Sequence, residues 1–240
     1  MVADICSLLE EELLPAGPGG HALPVVVKVT TDCKFFASGS FQGVTGDISR
    51  VSHKCIRQMT DGRWFARTEW YVNFPCNDIS QNERAFGLTC LVGFPQLQGA
   101  NDCTHMAIRA PPDQPGACVS PKGFHPISVQ LVCKHKKRFM QVCARFHGSS
   151  HDAFILWQSN IPDLFVPGTS LKGWLLGNKG YPLQTWLVTP LRNPTSNEQQ
   201  ERHNANHMST RCVTEQAIGM LKMHFRCLDR SGGALRGSLG

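Results

Sequence analysis

Asp102 heads the strand-like stretch GANDCTHMAIRAP (Gly99 to Pro111), Asp152 lies in GSSHDAFILWQSN, and Glu215 lies in STRCVTEQAIGMLKMHF. Carboxylates gathered in one place repel each other, and a hard divalent cation with oxygen ligands lets them stay ionised together. Held that way, Mg²⁺ or Mn²⁺ activates water and stabilises the leaving oxygen in phosphodiester hydrolysis. Each acid also has a plain structural meaning: Asp102 as a turn residue before a strand, Asp152 as a helix N-cap, Glu215 as a helix-surface charge. Cys103 and His105 raise zinc as a third chemistry. No second Cys/His pair at finger spacing follows, and with 10 His and 11 Cys in the chain, chance neighbours are common. Cys103 therefore reads as a buried strand residue, and His105 as a structural histidine or a donor near the acids.

The elements that must position these acids follow from periodicity. A first strand carries Asp102 and ends at Pro111, followed by the proline-rich loop PPDQPGACVSPKG. Ile127, Val129 and Leu131 alternate with Ser128, Gln130 and Val132, and Met140, Val142, Ala144 and Phe146 alternate with Gln141, Cys143 and Arg145. The run KHKKR, Lys134 to Arg138, joins these two strands as an exposed basic hairpin. Ser149, Ser150 and Asp152 are capping candidates for a short helix running to about Ser159. GWLLGNKGY gives a short buried strand and a turn. After a polar stretch from Asn193 to Asn206, STRCVTEQAIGMLKMHF reads as an amphipathic helix with Val213, Ala217, Met220, Leu221 and Phe225 near one face. The order is β, β, β, α, β, α, a mixed α/β layer.

Upstream the pattern differs. Ser38 to Met59 reads as helix, turn, helix, with Gly43 and Gly46 as punctuation and Ser52 as the N-cap of a helix carrying Lys54 and Arg57. LPVVVKVTTD, rich in β-branched residues, reads as a strand on propensity alone.

A chain of 240 residues, 41% hydrophobic, buries a sizeable core. Its longest apolar runs, Val25 to Val27 and Phe154 to Leu156, fall far short of the roughly 20 residues that span a bilayer. The start, MVADICSLLEEELLPAG, is acidic and lacks a secretory apolar region, so export is not indicated. Eleven cysteines without a CxxC pair suit reduced thiols inside a cell. Residues 1–120 carry 9 Lys and Arg against 12 Asp and Glu; residues 121–240 carry 15 against 6, a net of +9. That excess is compatible with a polyanionic partner, with Lys134, Lys136, Lys137, Arg138 and Arg211, beside Lys122 and Arg145, as the expected DNA-facing cations.

GANDCTHMAIRAP, GSSHDAFILWQSN, LLGNKGYPLQTWLVTPL and HMSTRCVTEQAIGMLKMHFRCLD resemble, in this order and spacing, the DDE endonuclease domain of PIF/Harbinger transposases and their domesticated vertebrate relatives. KFFASGSFQGVTGDISRVSHKCIRQM and YVNFP resemble the same proteins upstream. The resemblance implies an RNase H-like mixed sheet with flanking helices over residues 96–240, preceded by a small helical, helix-turn-helix-like region over residues 1–95. It makes Val25 to Thr30 helical. It implies catalytic and metal-holding roles for Asp102, Asp152 and Glu215, a Mg²⁺ or Mn²⁺ cofactor and cleavage of DNA. It also implies a Myb/SANT-like companion protein and a place in nucleus and cytoplasm. Two departures stand out. The family's Gly-Asp after the fourth strand is Gly177-Asn178 here, with 36 residues between Asn178 and Glu215, so an amide takes the place of a carboxylate. The family also continues beyond FRCLDRSGGALRG, so the domain reads as C-terminally truncated. The expected activity is a metal-dependent DNA endonuclease, with a catalytically impaired DNA- or protein-binding module as the alternative.

Overall fold

The structure is a computed structural model. It describes residues 2–13, 23–40, 42–49, 51, 74, 78–92, 94–109, 125–166, 168–169, 171–191, 197–229 and 235–236. The chain divides into two units, one of residues 1–71, 107–115 and 222–238, the other of residues 72–106, 116–221 and 239–240. The sequence readings for Ser52, Lys54, Arg57 and Lys122 lie outside the described residues.

The first unit is mainly helical: α1 (Val2–Leu13), α2 (Val25–Ser38) and α3 (Gln42–Ser49), with a one-turn 3-10 helix at Arg226–Leu228 packed on α2 and a two-residue parallel pairing of Ile108–Arg109 with Leu235–Arg236. The propensity reading of Val25 to Thr30 as a strand is overturned and the helix implied by resemblance is found. Pro24 fixes the chain's direction at the N-cap, and Val29, Asp32 and Phe35, one turn apart, bury a common face that outweighs β-branched propensity. Lys28 Nζ donates to Leu13 O at 2.7 Å, satisfying an orphan carbonyl at the end of α1. Gly43 and Gly46 lie inside α3 rather than punctuating it.

Asp32 is fully buried, and neither carboxylate oxygen has a hydrogen-bond partner. Burial pushes its pKa up from 3.8 to about 7. A raised folded-state pKa gives a contribution that is fully present below the ordinary value and is lost as pH rises through about 7. Asp32→Asn is therefore expected to raise the thermal midpoint by several degrees at pH 8 and hardly at all near pH 4. An increment of equal size at both pH values would show that the buried charge is not its cause.

The second unit is built on a mixed sheet of order β3-β2-β1-β4-β5, with β1 (Leu97–Arg109), β2 (His125–Cys133), β3 (Phe139–His147), β4 (Trp174–Gly177) and β5 (Leu187–Val188). β1 pairs parallel with β4, β4 parallel with β5, and β2 antiparallel with β3. Gly99 abuts Cys133 and His105 meets Ser128, so β1 and β2 run antiparallel. The helices are α4 (Asp78–Val92), α5 (Asp152–Gln158), α6 (Ile161–Leu164) and α7 (Glu198–His224). This is the mixed sheet with flanking helices that the sequence pattern implied. α6 and β5 were not expected, because four and two residues are too short to show a period.

Leu175 and Leu176 of β4 point to opposite faces. Leu175 packs with Val132, Met140, Leu156 of α5 and Ile161 of α6, while Leu176 packs with Leu97 and Ala100. Phe94, beside the second group, meets the His203 ring of α7 edge-on, so helices cover both faces. β2 is consequently buried on both sides: Ser128 and Gln130, expected to face solvent, are as covered as Val129 and Leu131. On β3 the alternation fails differently, with Val142 and Ala144 exposed on a strand whose pairing shifts register near Gln130. α7 begins eleven residues earlier than expected and buries His207, Thr210, Thr214, Ala217 and Ile218. Of the expected face only Ala217 is buried; Met220 is exposed and Phe225 lies past the helix end, exposed.

Candidate acid site

The parallel register of β1 and β4 builds the site. Asn101 stands opposite Gly177, so the next residues, Asp102 and Asn178, come together at the C-terminal end of β4, where open α/β sheets place their crevices. α5 contributes Asp152 in its first turn. The N-cap position is His151, with no side-chain cap, so the expected capping by Ser149, Ser150 or Asp152 does not occur. α7 contributes Arg211 and Glu215, one turn apart.

Asn178 Nδ2 donates to Asp102 Oδ1 at 2.6 Å and to Asp152 Oδ2 at 3.0 Å. The amide is turned this way because Gly180 N–H donates to Asn178 Oδ1 at 2.6 Å, which fixes the oxygen away from the acids. A Cβ at Gly180 would lie 2.9 Å from both Asn178 Oδ1 and Asp152 Oδ2, so the turn closes tightly over the pair. Asp102 Oδ1 also accepts from Cys103 N–H at 2.9 Å, and its Oδ2 faces Arg211 Nε at 3.9 Å. Arg211 Nε sits 2.9 Å from Glu215 Oε1. Asp102 is 7% exposed. Burial raises its pKa, opposed by the Asn178 hydrogen bond, the Arg211 charge and the Cys103 N–H, and reinforced by the Asp152 charge.

All three expected acids are thus joined, but through protein donors: Asp102 to Asp152 by an amide, Asp102 to Glu215 by a guanidinium. Among the described residues no group of three His, Cys, Asp or Glu is arranged to hold a metal ion. Mg²⁺ and Mn²⁺ take oxygen donors, whereas Asn178 presents N–H, and Glu215 is engaged by Arg211. As arranged, the donor set does not fit a divalent cation. The Gly180 contact keeps the Asn178 amide oxygen turned away from both acids.

Cys103 Sγ lies 3.1 Å from Tyr181 Oη, and burial pushes the thiol up to about 12, away from the thiolate that zinc requires. His105 Nδ1 meets Ser128 Oγ at 3.3 Å.

The five expected DNA-facing cations lie on two elements, four on the β2–β3 turn and Arg211 on α7. Lys134–Arg138 is the hairpin turn, closed by Lys134 N–H to Arg138 O at 3.0 Å and by Lys137 at φ 56°. Lys136 Nζ pairs with Glu83 Oε1 of α4 at 2.7 Å, and the His135 ring occupies the space a Gly87 side chain would need. The turn follows Cys133, which abuts Gly99; Asp102 is three residues, about 10 Å, further along β1. Arg211 belongs to the acids instead.

Sequence reasoning missed Tyr181 and His207. His207, buried on α7, donates Nε2–H to Gly177 O at 2.8 Å, and burial lowers its pKa, which favours the neutral ring. The signal was present: His207, Arg211 and Glu215 recur at four-residue spacing, one stripe of a helix.

The description of the family model that matches residues 101–238 is DDE superfamily endonuclease. The human protein named "Putative nuclease HARBI1" is 34% identical over 220 residues, covering 90% of this chain and 62% of that protein. Its Bos taurus counterpart is 34% identical over 206 residues, covering 84% and 58%. The Arabidopsis thaliana "Protein ALP1-like" is 24% identical over 246 residues, covering 94% and 60%. The chain therefore spans about three-fifths of the length of these curated relatives. No solved structure matches it. With the family match beginning one residue before Asp102 and running through Glu215, this chain belongs to the DDE superfamily endonuclease family.

Proposed function

We propose that this chain is a transposase-derived DNA-binding protein in which the family's phosphodiester hydrolysis is impaired. One observation carries the reading: the amide at position 178 meets Asp102 and Asp152 nitrogen first. A centre that holds two cations needs those carboxylate oxygens, and here both acids accept from Asn178. The +9 excess after residue 120 supports a polyanionic partner that needs no turnover to be bound. A Myb/SANT-like companion and residence in nucleus and cytoplasm belong to the same proposal.

A second reading is an active Mg²⁺- or Mn²⁺-dependent DNA endonuclease using Asp102, Asp152 and Glu215. It is favoured by the gathering of all three acids around two donors.

Duplex binding and plasmid nicking by the native chain separate the two. Binding should weaken steeply with salt, with a log-log slope near −0.9 per phosphate neutralised. Converting Lys134, Lys136, Lys137 and Arg138 to Ala should flatten that slope, since a surface pair such as Lys136–Glu83 holds little of its cation's charge back. The plasmid should stay intact with Mg²⁺ or Mn²⁺. Nicking that Asp102→Ala abolishes would establish the endonuclease; absence of duplex binding would remove the proposed function.

A further inference from the structure

We propose that Arg211 is a built-in cation. Its guanidinium takes the position between Asp102 and Glu215 and, with Asn178, makes the acid cluster a clamp between sheet and helix that needs no divalent ion. This deepens the proposed loss of turnover and rests on that reading.

Three carboxylates converge here and one of them, Asp102, is nearly covered. Charges held that close require compensation. The donors that supply it are Arg211 Nε, 2.9 Å from Glu215 Oε1 and 3.9 Å from Asp102 Oδ2, and the Asn178 amide, shared by Asp102 and Asp152. Between His207 and Thr214 the sheet-facing side of α7 has the same logic, with the half-exposed Arg211 at its edge. His207 donates to Gly177 O at the end of β4, Arg211 faces Asp102 of β1, and Thr214 Oγ1 accepts from Cys133 Sγ of β2. Over these two turns the helix is fastened to three neighbouring strands by polar contacts, and Arg211 is the charged member. A helix held to a sheet this way depends on the sign of the charge at position 211. The same two acids, without the guanidinium, present free oxygens to a hard cation.

The test uses the purified full chain in EDTA and in about 1 mM MnCl₂, reading the thermal midpoint and Mn²⁺ binding. The native midpoint should agree in the two buffers to within about 1 °C. Arg211→Met should melt several degrees lower in EDTA, regain much of that loss in Mn²⁺, and bind Mn²⁺ about tenfold or more tightly than the native chain. The double variant Arg211→Met/Glu215→Gln removes cation and anion together and should recover stability in EDTA, even if the single variant is too unstable to study alone. The clamp is overturned if the double variant is as unstable as Arg211→Met, because Arg211 would then act by packing. It is also overturned if a folded Arg211→Met melts like the native chain in EDTA or ignores Mn²⁺. Mn²⁺-dependent nicking by the native chain, with the Arg211 results as expected, would sink the proposed function and leave the clamp standing. An inert native chain with an indifferent Arg211→Met would do the reverse.

Discussion

Asn178→Asp should yield a chain that is unstable without a divalent cation and rescued by it. The substitution removes the N–H donor shared by Asp102 Oδ1 and Asp152 Oδ2 and puts a third carboxylate against them. Losing a hydrogen bond to a charged group costs about 1.5–3 kcal/mol, and the like-charge repulsion of the new carboxylate adds to that. The new side chain still accepts from Gly180 N–H, so the turn persists and the loss is electrostatic. Burial already raises the Asp102 pKa, and an added anion raises it further. Its contribution then lies fully below the ordinary carboxylate pKa and fades as pH rises through the folded value. In EDTA the variant should therefore gain stability on acidification relative to the native chain. Mn²⁺ should reverse the loss at neutral pH, because the variant offers carboxylate oxygens where the native site offers an amide nitrogen. Plasmid nicking with Mn²⁺, abolished by adding Asp102→Ala, is the functional readout. A folded Asn178→Asp that neither melts lower in EDTA nor responds to Mn²⁺ would show that residue 178 is not what sets this chain apart from a metal centre.

How much of this was legible in the sequence depended on whether an element buries apolar or polar surface. The four motifs that resemble the Harbinger DDE domain led to the correct family, and the match over residues 101–238 covers all of them from Asn101 onward. The hairpin at Lys134–Arg138 was visible because two alternating strands flank a charged run. α7 was misread in its phase because three of its five buried positions, His207, Thr210 and Thr214, are polar and hydrogen-bonded, and hydrophobic periodicity is blind to buried polar groups with partners. α2 was misread on propensity because the burial of Val29, Asp32 and Phe35 decides its conformation. The replacement at position 178 was plain in the sequence; which way its amide points was not, since that depends on the backbone N–H of Gly180. The ion pair of Arg211 with the acids was equally hidden, and the residue was first grouped with the hairpin cations because both are basic.

Gly173→Ala should be the most damaging small substitution at the base of this site. Gly173 precedes β4 at φ +100°, a conformation that side-chain-bearing residues rarely adopt. A Cβ there would lie 2.1 Å from Gln96 O, a backbone atom that also accepts the Trp174 N–H at 3.3 Å. Neither strand can give way locally, since Gln96 leads into β1 just as Gly173 leads into β4. The pairing that follows, Leu97 with Trp174 through Asn101 with Gly177, is what brings Asp102 beside Asn178. Backbone strain alone costs about 1–3 kcal/mol. Pushing the two strands apart adds a packing loss of comparable size, also about 1–3 kcal/mol. At roughly 2–4 °C per kcal/mol, the summed cost of about 2–6 kcal/mol should lower the thermal midpoint by roughly 4–24 °C. Gly168→Ala is the control: its φ is +97°, but a Cβ there meets nothing within 4 Å, so it carries the strain without the collision. The difference between the two variants isolates the strand contact. Because the register carries the site, Gly173→Ala introduced into Asn178→Asp should also erase the gain in Mn²⁺ binding. Equal midpoints for the Gly173 and Gly168 variants, or undiminished Mn²⁺ binding in the double variant, would mean that the β1–β4 approach does not position the acids.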